Sequence, residues 1–456
     1  MRNIQKLIAF VFVFIACSCT TDDTFIDSES TVVSKNNNAN ATQGIPPNNM
    51  PVYSQDELII QYKPGTPEAM KASIRVRHGI NPSLTIFMQG FGIYEICRCN
   101  NQDIEKWIFP NGTIGIEPKK GVIEDEIDGE AHGVGNVDYE FTYGFEVDNP
   151  ATGTGADTSY ASYIKPANNG ITIAILDTGL ATGLTVFNDG GGATQFLYNA
   201  ADTAIGEELS GWDFVNKDAN TFDDDPNMHG SIITNQIHEA LEGKNIKHQI
   251  LPMKIANKHG KISYFNSICG TLRAFEVADI INMSFGWYND PFGDFGNTIF
   301  ENLIETYTDV IVVASAGNNG TNNEEILHYP SSFPQPNVIS VGSYNEILGI
   351  ASAFSNYGSN GVDFYAKGEE ISFYTSSVEG TSFAAPQIVI KVAEIIDLDI
   401  ISDLPMVDRV AALGLPVTES FIRLRDRETG EEIIDPETGT FTYMDTVYNS
   451  YIPIDD

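Results

Sequence analysis

Basic side chains are scarce in this chain. It has 25 Lys and Arg against 62 Asp and Glu, a formal charge of -37. A field of that sign repels phosphate backbones, which argues against nucleic acid as a partner and favours solubility. It also supplies carboxylate oxygens of the kind calcium prefers, so a structural calcium ion is one expectation. Cysteine is scarce too, with five residues: Cys17, Cys19, Cys97, Cys99 and Cys269. They do not make a disulfide framework. Cys97 and Cys99 are only two apart, where a mutual bond would be strained, and the last three cysteines read as small buried apolar residues. Long hydrophobic runs are missing. The run Leu7 to Ala16 is too short to cross a bilayer as a stable helix, and no other stretch is long and apolar enough.

What is present begins with a targeting segment. Arg2 and Lys6 precede the Leu7 to Ala16 run, as in a secretory signal. The run ends in Ala16-Cys17-Ser18-Cys19, which resembles a bacterial lipoprotein lipobox. Residues 1–19 are therefore expected to be a lipoprotein-type signal, with Cys19 as the lipidation site and Cys17 as the alternative. The corresponding location is a membrane-anchored lipoprotein, periplasmic or at the cell surface. A plain cleaved signal would instead give a secreted protein.

Residues 20–50 are rich in Ser, Thr, Asn and Asp and read as a flexible tether. Over 52–127 the pattern predicts strands at 58–62, 92–97 and 121–127 and helices at 67–78 and 102–108, a small α+β domain. Residues 128–165, rich in Gly, Asp and Asn, read as a linker. From 166 to 415 continuous apolar strands (171–176, 248–255, 279–285, 310–316) alternate with helix candidates at 229–243, 264–278, 295–308 and 382–398. That alternation predicts an α/β fold, a three-layer parallel sheet with helices on both faces. In such sheets ligands bind beyond the carboxyl ends of the strands, where Asp177, Ser284 and Asn318 fall. Residues 416–456 read as a small β appendage.

Acyl transfer by a serine needs a nucleophile, a base, a carboxylate to orient the base, and donors for the oxyanion. Ser382 lies in Gly380-Thr381-Ser382-Phe383-Ala384-Ala385-Pro386, at the start of a helix where free N–H groups favour negative charge; a helix-capping serine has the same signature. His229, in Met228-His229-Gly230-Ser231, also enters a helix; a lone histidine is often structural. Asp177 directly follows a buried strand, where an acid is costly unless hydrogen-bonded or functional. A turn-forming Asp before Gly fits there too, and so does one loop of an aspartic peptidase, although those need two Asp-Thr-Gly loops and this chain has one. Asn318, in Ala316-Gly317-Asn318-Asn319-Gly320, supplies a side-chain amide or a turn. No histidine follows Ser382, which rules out the Ser-Asp-His order of the α/β-hydrolases.

Taken together, these motifs resemble the subtilases in content, order and spacing over about 166–400. Gly211 to Val215, Ile250 to Ile255, Ile281 to Gly286, Tyr329-Pro330 and Val338 to Gly342 add to the likeness. The resemblance implies a self-processing serine endopeptidase with Asp177, His229 and Ser382 as catalytic residues and Asn318 in the oxyanion hole. It implies that Ser284, Phe285, Gly286, Ala314 and Gly317 flank a protein or peptide substrate. It implies no cofactor for catalysis. The 52–127 region, more loosely similar to the family's inhibitory propeptide, would be a partner of the peptidase domain, with the processing site in 128–165. Three departures stand out: Ser231 and Ile232-Ile233 where the family has Thr and a second His, the Asp223-Asp224-Asp225 run, and Lys367 where Pro is usual. If the acidic run lies near His229 it favours the charged imidazole.

Overall fold

A computed structural model describes residues 52–83, 90–110, 115–127, 129–144, 170–187, 196–200, 208–288, 297–345, 350–358, 360–374, 376–399, 404–413, 422–423 and 443–444. The expected signal segment with Cys17 and Cys19, the expected tether 20–50, and residues 145–169 lie outside the described residues. Among the described residues, no helix is long and apolar enough to cross a membrane.

The strand Ile171–Asp177 is buried along its whole length, which a strand covered on both faces requires. Its side chains alternate. Ile171, Ile173 and Ile175 enter one core with residues of the helices His229–Gly243 and Thr381–Asp397. Ala174 and Leu176 enter a second core with residues of Tyr264–Phe275 and Thr298–Thr306. Three layers result. Among the described residues the main sheet has ten strands. Trp212–Asp213, His248–Lys254, Ile171–Asp177, Ile280–Met283, Ile311–Ser315 and Val338–Asn345 follow one another in parallel, and Phe364–Lys367 also pairs with Val338–Asn345. The expected α/β architecture is therefore the observed one. The tail is not a separate appendage where it is described. Ile422–Arg423 pairs with Tyr443–Met444 and joins the main sheet through Arg423 opposite Ile350.

The N-terminal unit departs further from the sequence reading. Val52–Tyr62 is central in an antiparallel sheet, flanked by Ile104–Ile108 and Val134–Gly144, with Ile93–Ile96 outside. The stretch 102–108, expected as a helix, is thus a strand. The stretch 121–127, expected as a strand, is mostly helix, Ile116–Glu124. Part of the expected linker is the strand Val134–Gly144, so this unit extends to residue 144. The helix expected at 67–78 is Glu68–Arg77, with Pro67 at its N-cap.

That last strand also carries the contact with the main unit. It pairs with Lys261–Ser263, which belongs to the α/β part of the chain. Asp138 accepts hydrogen bonds from the Ile299 N–H (2.9 Å) and the Tyr264 hydroxyl (3.0 Å), and Glu140 accepts from the Phe265 N–H (3.0 Å). Two buried carboxylates so meet the positive N-terminal ends of two neighbouring helices. A disulfide, Cys97–Cys269, closes the same interface. This corrects the reading of both residues as plain buried thiols; Cys99 alone remains a buried free cysteine.

Candidate active site

Parallel strands end on the same edge of their sheet. Asp177 is the last residue of Ile171–Asp177, Ser284 follows Ile280–Met283, and Gly317 and Asn318 follow Ile311–Ser315. One rim therefore collects all four.

Asp177 is fully buried. Its carboxylate accepts the Thr178 N–H at 2.7 Å and meets His229 Nδ1 at 2.8 and 2.9 Å. With Nδ1–H donating to the carboxylate, the neutral imidazole keeps its lone pair on Nε2, the tautomer a general base requires. His229 is the first residue of its helix, and that helix end fits tightly against the Asp177 loop. The Gly230 N–H donates to the Thr178 hydroxyl at 2.9 Å, and a Cβ on Gly230 would stand 2.5 Å from the Gly179 carbonyl oxygen. Only glycine allows this approach.

The imidazole titrates above the ordinary 6.5. Burial opposes the charged form, but the Asp177 charge and hydrogen bond outweigh it, and Asp225 and Asp223 add to them. The acidic run is therefore not simply a solvated turn. Asp223 accepts from the Ser231 hydroxyl (2.7 Å) and N–H (3.1 Å), Asp224 pairs with the buried Lys254 (2.7 Å), and burial pushes Asp225 up to about 6. Ser231 also accepts the Ala181 N–H at 2.9 Å, which gives the departure at that position a structural task. Ile232 and Ile233 are core residues. Nothing in the structure explains Lys367.

Ser382 is the second residue of Thr381–Asp397. Its hydroxyl donates to the Ser284 carbonyl at 3.0 Å, and the Ser284 hydroxyl donates back to the Ser382 carbonyl at 2.8 Å. The second bond has a covalent cause. Four residues on, Pro386 has no N–H, so the Ser382 carbonyl lacks its ordinary helical donor. Ser284 fills that place and ties the Ser382 turn to the strand rim; Asn282 steadies it at 2.9 Å. The His229 ring packs against Phe383, the neighbour of Ser382, with centroids 5.3 Å apart. The imidazole therefore lies beside the residue that follows Ser382, while the Ser382 hydroxyl rests on the Ser284 carbonyl.

Asn318 Oδ1 accepts both the N–H (2.9 Å) and the hydroxyl (2.8 Å) of Thr381. Those two donors define which end of the amide is oxygen. The Nδ2 donor end lies 3.5 Å from where a Cβ on Gly380 would stand, beside the turn that leads into Ser382. Thr381 also accepts the Gly317 N–H at 3.2 Å, so one threonine aligns both loops. The sequence reading assigned no role to Thr178 or Thr381; their adjacency to Asp177 and Ser382 was the available signal.

The expected substrate-flanking residues separate. Ser284, Phe285 and Gly286 lie between Ile280–Met283 and Trp287–Tyr288. Phe285 points into the core against Tyr143 (5.9 Å), and a Cβ on Gly286 would stand 2.2 Å from the His328 ring. These two therefore offer backbone rather than side chain. Ala314 is a correction. It is fully buried and paired on both sides, with Met283 and Ser340, so no peptide can add to it as a strand. Gly317 lies beyond that pairing.

The subtilase family (Peptidase_S8) matches residues 168–400. A subtilisin-like protease of Coccidioides posadasii is 31% identical over 251 residues, covering 51% of this chain and 60% of that protein. A second subtilisin-like protease of the same fungus is 28% identical over 278 residues, covering 58% and 61%. These matches span about 60% of the relatives' own lengths. Among solved structures, an epidermin leader peptide processing serine protease from Staphylococcus aureus superposes with a TM-score of 0.52 at 15% identity, covering 88% of this chain and 97% of that one. At that identity the likeness concerns the fold.

Proposed function

The chain belongs to the subtilase family, and from that premise we propose that it is a serine endopeptidase in which Asp177, His229 and Ser382 act as one unit. The observation that carries the reading is the buried Asp177–His229 pair, 2.8 Å apart, set beside the helix start that presents Ser382. Ser382 Oγ attacks the scissile carbonyl as His229 Nε2 takes its proton. Asp177 holds the tautomer and stabilises the imidazolium. The tetrahedral oxyanion is held by Asn318 Nδ2 and the Ser382 backbone N–H, which at a helix start has no intrahelical partner. His229 returns the proton to the leaving amine. Water then attacks the acyl-enzyme by the same route in reverse. The substrate runs extended along Ser284 to Gly286 on one side and Gly317 on the other. Side chains and backbone supply every step; a structural calcium ion, proposed from the acidic composition, plays no part in it.

The 52–144 unit serves as an inhibitory and folding-assisting propeptide. Its last strand ends with Tyr143 against Phe285 (5.9 Å) and Trp287 (5.0 Å), beside the segment proposed to hold substrate. The strand so ends, at Gly144, next to the proposed cleft, which supports self-cleavage within 145–165. Export, with a lipid on Cys19, completes the proposal. The test is exposure of a mixed peptide library to the purified protein. Internal cleavage of long peptides that vanishes in Ser382→Ala supports the reading; no cleavage by the wild type, or cleavage that Ser382→Ala retains, overturns it.

A further inference from the structure

Far from the proposed catalytic centre, the helix that begins with His229 carries two potential ligands one turn apart, His238 and Glu242. His248 opens the next strand, five residues after that helix ends. The ligand atoms of these three side chains lie within 4.8 Å of one another. His238 Nδ1 is 2.9 Å from His248 Nε2.

The chemistry of the set is specific. His248 is buried, and its Nδ1–H donates a hydrogen bond to the Ile246 carbonyl at 2.8 Å. That bond leaves the Nε2 lone pair of the neutral ring facing His238. A ligating histidine commonly has just such a backbone carbonyl on its second nitrogen, because it sets tautomer and ring angle. The His238 ring is held in turn against Phe196, centroids 4.0 Å apart. Glu242 is exposed, so an ion can enter from solvent on its side. Two imidazoles and one carboxylate suit zinc and its first-row neighbours, whereas calcium and magnesium prefer oxygen. Metal–nitrogen bonds of about 2.0–2.1 Å in a tetrahedral site need the two nitrogens about 0.4 Å further apart than they stand. A small shift of the His238 side chain provides that, and water completes the shell.

We propose that His238, Glu242 and His248 bind a divalent transition-metal ion of the zinc type, which clamps the His229 helix to the strand His248–Lys254. The role is structural. At about 1.5 Å per residue, His238 lies roughly 14 Å along the helix from His229, beyond reach of the reacting atoms. The far end of the clamped strand, Lys254, donates to the Thr178 carbonyl at 2.5 Å, so the clamp braces both elements that frame Asp177.

The test uses the full chain in a Ser382→Ala background, stripped with chelator, then titrated with Zn²⁺ by calorimetry and with Co²⁺ by visible absorption. The expected result is one ion per chain, intense four-coordinate Co²⁺ bands, and a higher melting temperature with Zn²⁺. Glu242→Gln, at an exposed position, should leave the metal-free melting temperature unchanged and weaken Zn²⁺ binding at least about tenfold; His238→Asn should weaken it further. Absence of Zn²⁺ binding, or binding that neither substitution changes, overturns the proposal. Failure here leaves the peptidase assignment untouched, since peptide cleavage is not the readout.

Discussion

Asn318 is held by its oxygen, and that makes it a donor at its other end. The two Thr381 bonds define the amide's orientation before any substrate arrives, so in the proposed mechanism the oxyanion would meet a donor that need not reorganise. If Asn318 is an oxyanion donor, Asn318→Ala is expected to lower kcat by about 10²–10³ with little change in KM, the magnitude known for loss of one oxyanion-hole donor in subtilisin. Steady-state kinetics on one peptide substrate check it. The charges around His229 make a second prediction. Catalysis needs the neutral imidazole, and the raised titration of His229 holds it charged to higher pH than 6.5. Activity should therefore fall on the acid side as pH drops through that raised value. Asp225→Asn removes one of the charges responsible, so the acid limb of the kcat/KM profile should move to lower pH. An unmoved limb would show that Asp225 does not act on the base. The proposed reacting residues could be picked out of the sequence because each ends a strand or starts a helix within two positions of a glycine. Their supports could not. The reciprocal bond between Ser284 and Ser382 depends on a proline four residues away and on a strand 98 positions earlier.

At the scale of elements, the strand Val134–Gly144 shows a cost that comes with docking. Burial pushes Asp138 from an ordinary 3.8 up to about 7, even though the Ile299 N–H and the Tyr264 hydroxyl oppose the rise, and pushes Glu140 from 4.5 up to about 7. A carboxyl whose folded value is raised stabilises the folded state most below its unfolded value. That contribution is lost as pH climbs through the folded value. The window is thus about pH 4 to 7. Asp138→Asn cannot ionise, so relative to wild type its melting temperature should rise progressively across that window; a constant difference would contradict the assignment. The same unit shows where patterns in sequence mislead. Continuous apolar runs marked the main-sheet strands because both faces are buried. In Ile104–Ile108 the alternation is broken by Glu105, fully buried and satisfied by Arg75 (3.0 Å) and the Trp107 indole N–H (2.8 Å). A charge in the core looks like a surface residue until its partner, 30 positions away, is known. In Ile116–Glu124 the short run Gly121-Val122-Ile123 suggested a strand, yet Val122 is 59% exposed and only Ile123 packs inward. In Val134–Gly144 no single face is buried along the strand: Val134, Val137 and Tyr139 enter one core, and Phe141 and Tyr143 another.

On the whole-molecule scale, the joints between the two units include a shared sheet edge, carboxylates at helix starts and Cys97–Cys269. The disulfide spans 172 residues, which no spacing rule could reveal. A loop of that length corresponds to a stabilisation on the order of 5 kcal/mol in the chain-entropy view. Its consequence for processing is direct, because a cut between 145 and 165 leaves both pieces covalently attached. Processed wild type should run as one species on a non-reducing gel and as two after reduction. Cys97→Ser should separate under both conditions, and two bands from unreduced wild type would exclude the link. The central claim, that side chains at 177, 229 and 382 work as one nucleophilic unit, is tested most directly by a fluorophosphonate probe with the modified residue mapped by mass spectrometry. The account predicts stoichiometric modification of Ser382 in the wild type, and labelling slowed by orders of magnitude in His229→Ala. Modification at another residue, or equal rates with and without the imidazole, would contradict it.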